Sequence, residues 1–252
     1  MRQIIAILNQ KGGVGKTTST INIAAYLSKM GRSVLVVDLD PQGNATSGLG
    51  VSKNLNSTMY DVLLNGELLG NVIKDIPSTD LALLPANAEL AGAEVELVNQ
   101  VDRDQRLKNA LARAAYDYIL VDCPPSLGLL SVNALVAADS ILIPVQAEYY
   151  ALEGLTQLLG TVQRIREGLN PSLNLLGVVV TMFDSRTSLS DSVYKELQKH
   201  FGQKLFKTVI PRNVRLAEAP SHGKTILAHD KWSRGARAYK VLAKEIDSNV
   251  GK

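Results

Sequence analysis

Apolar residues along this chain follow two rhythms. Short, nearly continuous apolar runs recur at 3–8, 33–38, 81–85, 118–123, 140–145, 173–182 and 205–210. Runs of that length without strict alternation fit strands buried on both faces. Between them, apolar positions return every three or four residues over 17–30, 104–115, 129–137, 151–167, 190–201 and 235–249. That is the spacing of a helix with one buried side. Gly31 stands where a helix-ending glycine belongs. The alternation of strand and helix predicts an α/β fold: a mostly parallel, twisted sheet with helices on both faces. No linker, internal repeat or low-complexity tract interrupts 1–252, so a single domain is expected. The longest expected irregular stretch is 41–58, rich in Gly, Asn and Ser. Long loops in compact domains tend to carry function.

The first strand runs into NQKGGVGKTT (9–18) and then into a helix. This is the context of a phosphate-binding loop. Gly12, Gly13 and Gly15 leave the backbone free to curl its N–H groups, that of Val14 among them, around phosphate oxygens. Lys16 is expected against the β- and γ-phosphates, the Thr17 hydroxyl on Mg²⁺ and Thr18 on the α-phosphate. The standard spacing G-x-x-x-x-G-K-[ST] wants a glycine at position 10, where Gln10 stands, and an additional lysine, Lys11, opens the glycine run.

Two further strands end in acid. YDYILVDCPP (116–125) places Asp122 at a strand's C-terminal end, the edge where open α/β sheets bind ligands, with Mg²⁺ its expected partner. VLVVDLDPQG (34–43) ends in Asp38 and Asp40. A water attacking a γ-phosphate must be oriented and relieved of a proton. Asp40, just past the strand, is the candidate for that work, and Asp38 for supporting Mg²⁺ or the loop. The sequence alone leaves that division between them open.

Charge adds a partner. Residues 1–180 hold 13 Lys/Arg against 17 Asp/Glu, and residues 181–252 hold 14 against 7. A basic C-terminal third on a near-neutral body suggests an anionic partner. One cysteine, Cys123, excludes an intrachain disulfide and fits a reducing compartment. No apolar run approaches a membrane span or a signal-peptide core, so a cytoplasmic protein is expected. His200, His222 and His229 have no companions at metal-ligand spacing.

With its doubled lysine, KGGVGKT resembles the deviant Walker A loop of the ParA/MinD family of P-loop NTPases. The resemblance extends through VDLDPQGNATSGLG (37–50), DCPPSLGLL (122–130), PVQAEYYALEGL (144–155) and IPRNVRLAEAPSHGKTI (210–226), and within the family it is to the chromosomal ParA (Soj) branch. The resemblance implies an ATPase cycling between ATP and ADP with Mg²⁺. It implies a homodimer that closes over two ATP molecules. Lys11 of one subunit would reach the phosphates held by the other, and Gly12 would lie at the close contact. It implies adenine near 210–213, against Met182, Pro211 and Asn213. Sequence-independent binding to double-stranded DNA is implied too, with Arg186 and Arg215 at positions like the family's DNA-contacting arginines and Lys207 and Lys224 as weaker candidates. A ParB-type stimulator and nucleoid association complete the picture. The MinD branch instead binds membrane through a C-terminal amphipathic helix. Here RGARAYKVLAKEIDSNVGK carries a candidate stripe of Ala238, Val241, Leu242, Ala243 and Ile246, but also Glu245 and Asp247. The expectation is a helix packed on the sheet and no membrane partner. A nitrogenase-type iron protein would need paired cysteines for its cluster, and no second substrate pocket of a ligase is legible.

Overall fold

The computed structural model describes residues 2–77, 79–148 and 151–250; Tyr149 and Tyr150 of the PVQAEYYALEGL string lie outside them. In chain order the elements are β1 (Gln3–Ile7), α1 (Lys16–Lys29), β2 (Val34–Asp38), α2 (Asn44–Gly48), α3 (Met59–Leu64), α4 (Leu69–Val72), β3 (Lys74–Ile76), β4 (Leu81–Leu84) and α5 (Leu90–Glu96). They continue with α6 (Arg106–Leu111), β5 (Tyr118–Asp122), α7 (Leu129–Ala137), β6 (Ser140–Gln146), α8 (Ala151–Gly168), β7 (Asn174–Thr181) and α9 (Ser188–Phe201). Last come α10 (Val214–Glu218), α11 (Ile226–His229) and α12 (Arg234–Val250). The described strands form one sheet in the order β3-β4-β2-β5-β1-β6-β7, antiparallel only between β3 and β4.

Each central strand is buried along its length, as its continuous apolar run requires. Alternate residues feed two cores. Ile4, Ala6, Leu35, Val37 and Val121 pack with α3, α5, α6 and α7. Ile5, Ile7, Val34, Val36 and Leu120 pack with α1 and α12. Register then fixes the active edge: Ile7 and Asp38 both lie opposite Asp122 on β5. Three strands therefore end level, and the segments leaving them converge.

Sequence pattern and structure differ in places with identifiable causes. Residues 205–210, expected as a strand, form only a bridge from Leu205 to Val178, with Phe206 and Ile210 donating to the Val178 and Val180 carbonyls. The Lys207 and Thr208 amides donate instead to the Glu245 carboxylate on α12, and the ladder ends there. The helix expected over 104–115 shortens to α6, because Asn133 accepts the Leu107 amide and donates to the Arg103 carbonyl, fixing a non-helical entry. The stretch 41–58 contains α2. Within 59–99 the apolar run at 81–85 forms β4 as expected, and the flanking residues, which carry no marked periodicity, hold α3, α4, β3 and α5; α3 starts from a Thr58–Asp61 capping box. On α12 the buried stripe is Ala236, Tyr239, Leu242, Ala243 and Ile246, while Val241 is exposed. This apolar face is spent on α1 and the sheet. Among the described residues no helix is long and apolar enough to cross a membrane.

Candidate functional site

Residues 9–15 bridge the level ends of the central strands, and side chains pin both sides of the loop. Asn9 donates to the Pro144 carbonyl on β6 (2.7 Å) and accepts the Lys11 amide (3.0 Å). Thr181, the last residue of β7, donates to the Val14 carbonyl (2.8 Å). Gly13 and Gly15 take left-handed backbones, φ 75° and 90°, which cost other residues about 1–2 kcal/mol. Gly12 is different. It has no positive φ, and a Cβ built there meets nothing within 4 Å. Neither conformation nor packing within this chain requires glycine at position 12.

The two lysines of the loop are disposed oppositely. Lys16 is only 6% exposed, and its ammonium donates to the Lys11 carbonyl (3.2 Å). Burial lowers its pKa, opposed by the Asp122 and Asp40 carboxylates. A buried cation beneath an open glycine loop, at the N-terminus of α1, fits an anionic ligand such as a triphosphate. Lys11 has a side chain 49% exposed, and its ammonium pairs with the Glu148 carboxylate just beyond β6.

The carboxylates are held by hydroxyls. Thr17 donates to one Asp122 oxygen (2.7 Å) and Thr20 to the other (3.1 Å). Thr20 was not among the sequence candidates, although it lies one helical turn beyond Thr17 on the same face. Asp122 and Asp38 are fully buried, and burial pushes both above the ordinary carboxylate range, helped at Asp122 by the Asp38 and Asp40 charges and at Asp38 by Asp40. Sites of this kind fit a cation that relieves the burden of burial, and Thr17 with Asp122 is the pair a Mg²⁺ ion would meet.

Asp38 faces inward to the next loop. One of its oxygens accepts both the amide and the hydroxyl of Thr46 (2.7 Å each), and the other accepts the Asp40 amide (3.3 Å). Thr46 also accepts the Ala86 amide (2.9 Å). Most of Asp38's acceptor capacity is thus spent on setting 40–46. Asp40 is 8% exposed and caps the turn by accepting the Gln42 amide (2.9 Å). Cys123 is buried, and its surroundings push the thiol upward, which suits packing and not nucleophilic chemistry.

Beside the loop lies a cavity of about 180 Å³ lined by Gly15, Thr18, Met182, Pro211, Asn213 and Tyr239, among others. The three residues expected around the base are brought together here with the end of the phosphate loop. Met182 has φ 50°, a strained conformation that commonly marks functional sites. The Asn213 side-chain oxygen caps α10 by accepting the Leu216 amide (3.2 Å). Arg212, not foreseen, lines the same cavity and lies close enough to Asp184 to help hold that carboxyl low, after the dominant Arg186 hydrogen bonds. A wider cleft of about 690 Å³ between α3 and α6 contains none of these groups.

The expected DNA-contacting residues divide. Arg186 clasps Asp184 with two hydrogen bonds (2.9 and 2.7 Å) yet remains 85% exposed. Arg215 donates to Glu218 (2.9 Å) and lies 3.8 Å from Asp230. Segments 183–187 and 210–215 run together, since Phe183 accepts the Arg212 amide (3.1 Å) and donates to the Ile210 carbonyl (3.0 Å). Lys224 follows the turn at Gly223 that packs against Gly50. Lys207 lies elsewhere, in a groove between α9 and α12 with Gln198 and Lys244.

Comparison with known proteins places these features in context. The family model for an AAA domain matches residues 2–175. The sporulation initiation inhibitor protein Soj of Bacillus subtilis is 55% identical over 252 residues, covering 99% of this chain and 100% of that protein. The chromosome-partitioning ATPase Soj of Thermus thermophilus is 55% identical over 246 residues, covering 98% of this chain and 96% of that protein. Among solved structures, cobyrinic acid a,c-diamide synthase from Mycobacterium smegmatis, with bound ADP and magnesium, aligns at a TM-score of 0.88 and 36% identity, covering 100% of this chain and 96% of that one.

Proposed function

This chain belongs to the Soj/ParA family of chromosome-partitioning ATPases, and from that membership we propose that it is a dimeric ATP switch which holds DNA in one nucleotide state and releases it in the other. Residues 1–252 act as one ATPase domain. ATP lies with its phosphates on 12–18 and its base in the cavity of Met182, Pro211 and Asn213. Lys16 neutralises the β- and γ-phosphates, and Thr18 reaches the α-phosphate. Thr17 and Asp122 would hold Mg²⁺, which would supply charge neutralisation for the phosphates.

Hydrolysis needs a water aligned with the γ-phosphorus. Asp40 accepts that water's proton as its oxygen bonds to phosphorus and the bond to the ADP oxygen breaks. Asp38 acts through the loop, holding Asp40 and Thr46 in place. Lys11 serves the nucleotide of a second copy, neutralising charge on the γ-phosphate oxygens as an arginine finger does. Two ATP-bound chains then form one sandwich, and dimerisation reports the nucleotide state. The dimer binds DNA without base readout through Arg186, Arg215 and Lys224, with Lys207 a peripheral contact, since each copy adds a set of cations to the same polyanion. Family membership is the ground for adding stimulation by a ParB-type protein and residence on the nucleoid to this reading.

The observation that carries this reading is the split between the lysines. Lys16 is sealed against its own loop, whereas Lys11 stands half exposed at a loop where Gly12 has no internal reason to be glycine. Both features are explained by a neighbour that approaches this surface. A filter-retention assay of labelled duplex in Mg-ATP and Mg-ADP, with phosphate release followed in parallel, tests the switch. Retention by ATP-loaded wild type and not by Lys16→Ala is expected. Equal retention in both nucleotides would contradict it.

A further inference from the structure

Trp232 has no place in the account above. It is the chain's single tryptophan, it lies in the turn between α11 and α12, and it is 76% exposed. An indole offers one of the largest apolar surfaces of any side chain and is usually mostly covered. This one is presented by a built turn. The Asp230 carboxylate accepts the Trp232 amide (3.1 Å), and the Asp230 carbonyl accepts the Ser233 amide and hydroxyl (3.2 and 3.0 Å). The Ser233 hydroxyl oxygen in turn accepts the Ala236 amide (3.1 Å) at the start of α12.

The same carboxylate ties Trp232 to Arg215. While one Asp230 oxygen receives the Trp232 amide, the other lies 3.8 Å from the Arg215 guanidinium. The ring stands in a basic segment of the chain. Lys231 sits 5.2 Å from its centroid, and Lys224, Arg234, Arg237 and Lys240 complete a segment, 224–240, with five Lys/Arg and a single acid, Asp230. Exposed Val214, next to Arg215, adds apolar surface to the patch.

We propose that Trp232 is a DNA-contacting residue: its ring packs on the sugars and base edges of the duplex whose phosphates Arg215 and its basic neighbours hold. This rests on the DNA-binding reading above and adds to it an apolar, salt-insensitive contact. Charge complementarity selects the occupant. A surface this basic with one large flat ring suits a polyanion that also exposes the apolar surface of its sugars, and contacts to sugars carry no direct sequence information. A membrane interface would call for several bulky apolar residues beside the basic ones.

As the chain's single tryptophan, Trp232 reports on itself. The protein is saturated with Mg-ATP, a labelled 24-base-pair duplex is added, and anisotropy of the label and tryptophan emission are read together; vesicles of anionic phospholipid form a second arm. The expected result is an emission change that tracks duplex binding and is absent with vesicles. Trp232→Ala should weaken the duplex about tenfold with the slope of log affinity against log salt unchanged, and Trp232→Phe should restore most of the loss. Duplex binding with unaltered emission and an undiminished Trp232→Ala would overturn this proposal and leave the DNA reading standing. Emission that responds to vesicles and not to duplex would overturn it in favour of a membrane surface. Absence of duplex binding by wild type in every nucleotide state would overturn the DNA reading itself, and this proposal with it.

Discussion

The Lys11 ammonium and the Glu148 carboxylate are paired across 137 residues of sequence, closing a contact between the phosphate loop and the segment just beyond β6. Within one chain, the loop's additional lysine is therefore held by a carboxylate. To serve a neighbour's nucleotide it must leave that partner.

Removing the restraint should favour the dimer. Both side chains are nearly half exposed, so the pair is worth about 0.2–1 kcal/mol. Glu148→Gln is expected to tighten ATP-dependent self-association by a few-fold, measured by sedimentation across a dilution series. A weaker dimer would mean that Glu148 works in the closed state.

Asp122 should show a conflict between stability and function. A carboxyl whose folded pKa is raised binds more protons folded than unfolded above about pH 4, so stability falls as pH rises from the unfolded value toward the raised one. Burial is the main cause of that rise. Without nucleotide or metal, Asp122→Asn should match or exceed wild type by about 1 kcal/mol in chemical denaturation at pH 8. The advantage should shrink toward pH 5, and ATP hydrolysis should be lost. A variant less stable at pH 8 than at pH 5, relative to wild type, would contradict the assignment.

Thr46 holds the loop that presents Asp40. Its hydroxyl serves both Asp38 and the Ala86 amide, and leaving such buried groups unpaired costs about 1–3 kcal/mol. Thr46→Val should lower stability by about that amount and also slow hydrolysis, because Asp40 loses its placement. Denaturant midpoints and single-turnover rates measure the two effects separately.

Arg215 should set the salt dependence of DNA binding. Removing one phosphate-binding cation lowers the slope of log affinity against log salt by about one. Arg215→Ala therefore should lower it by about two per dimer, whereas Lys207→Ala, in its separate groove, should change it less. Anisotropy titrations at several salt concentrations test both.

The phosphate loop was legible because its chemistry is contiguous: Lys11 to Thr18 are consecutive, and their strand and helix flank them. Asp122 and Asp38 could be found because each ends an apolar strand. Thr46 and Glu148 could not. Thr46 meets Asp38 only because α2 folds back, and Glu148 meets Lys11 only because β6 lies beside β1. The failed strand at 205–210 has the same origin, since Glu245, distant in sequence, takes the amides that a ladder would need. Short helices such as α3 rest on caps and tertiary contacts and are too brief to show a period.

Light scattering on wild type and Lys11→Ala, each with Mg²⁺ and a slowly hydrolysed ATP analogue or ADP, decides whether Lys11 acts between subunits. Wild type should double its mass with the analogue and remain a monomer with ADP, while Lys11→Ala binds the analogue and remains a monomer. A Lys11→Ala protein that doubles its mass as wild type does, or a wild type that stays monomeric with the analogue, would contradict the account.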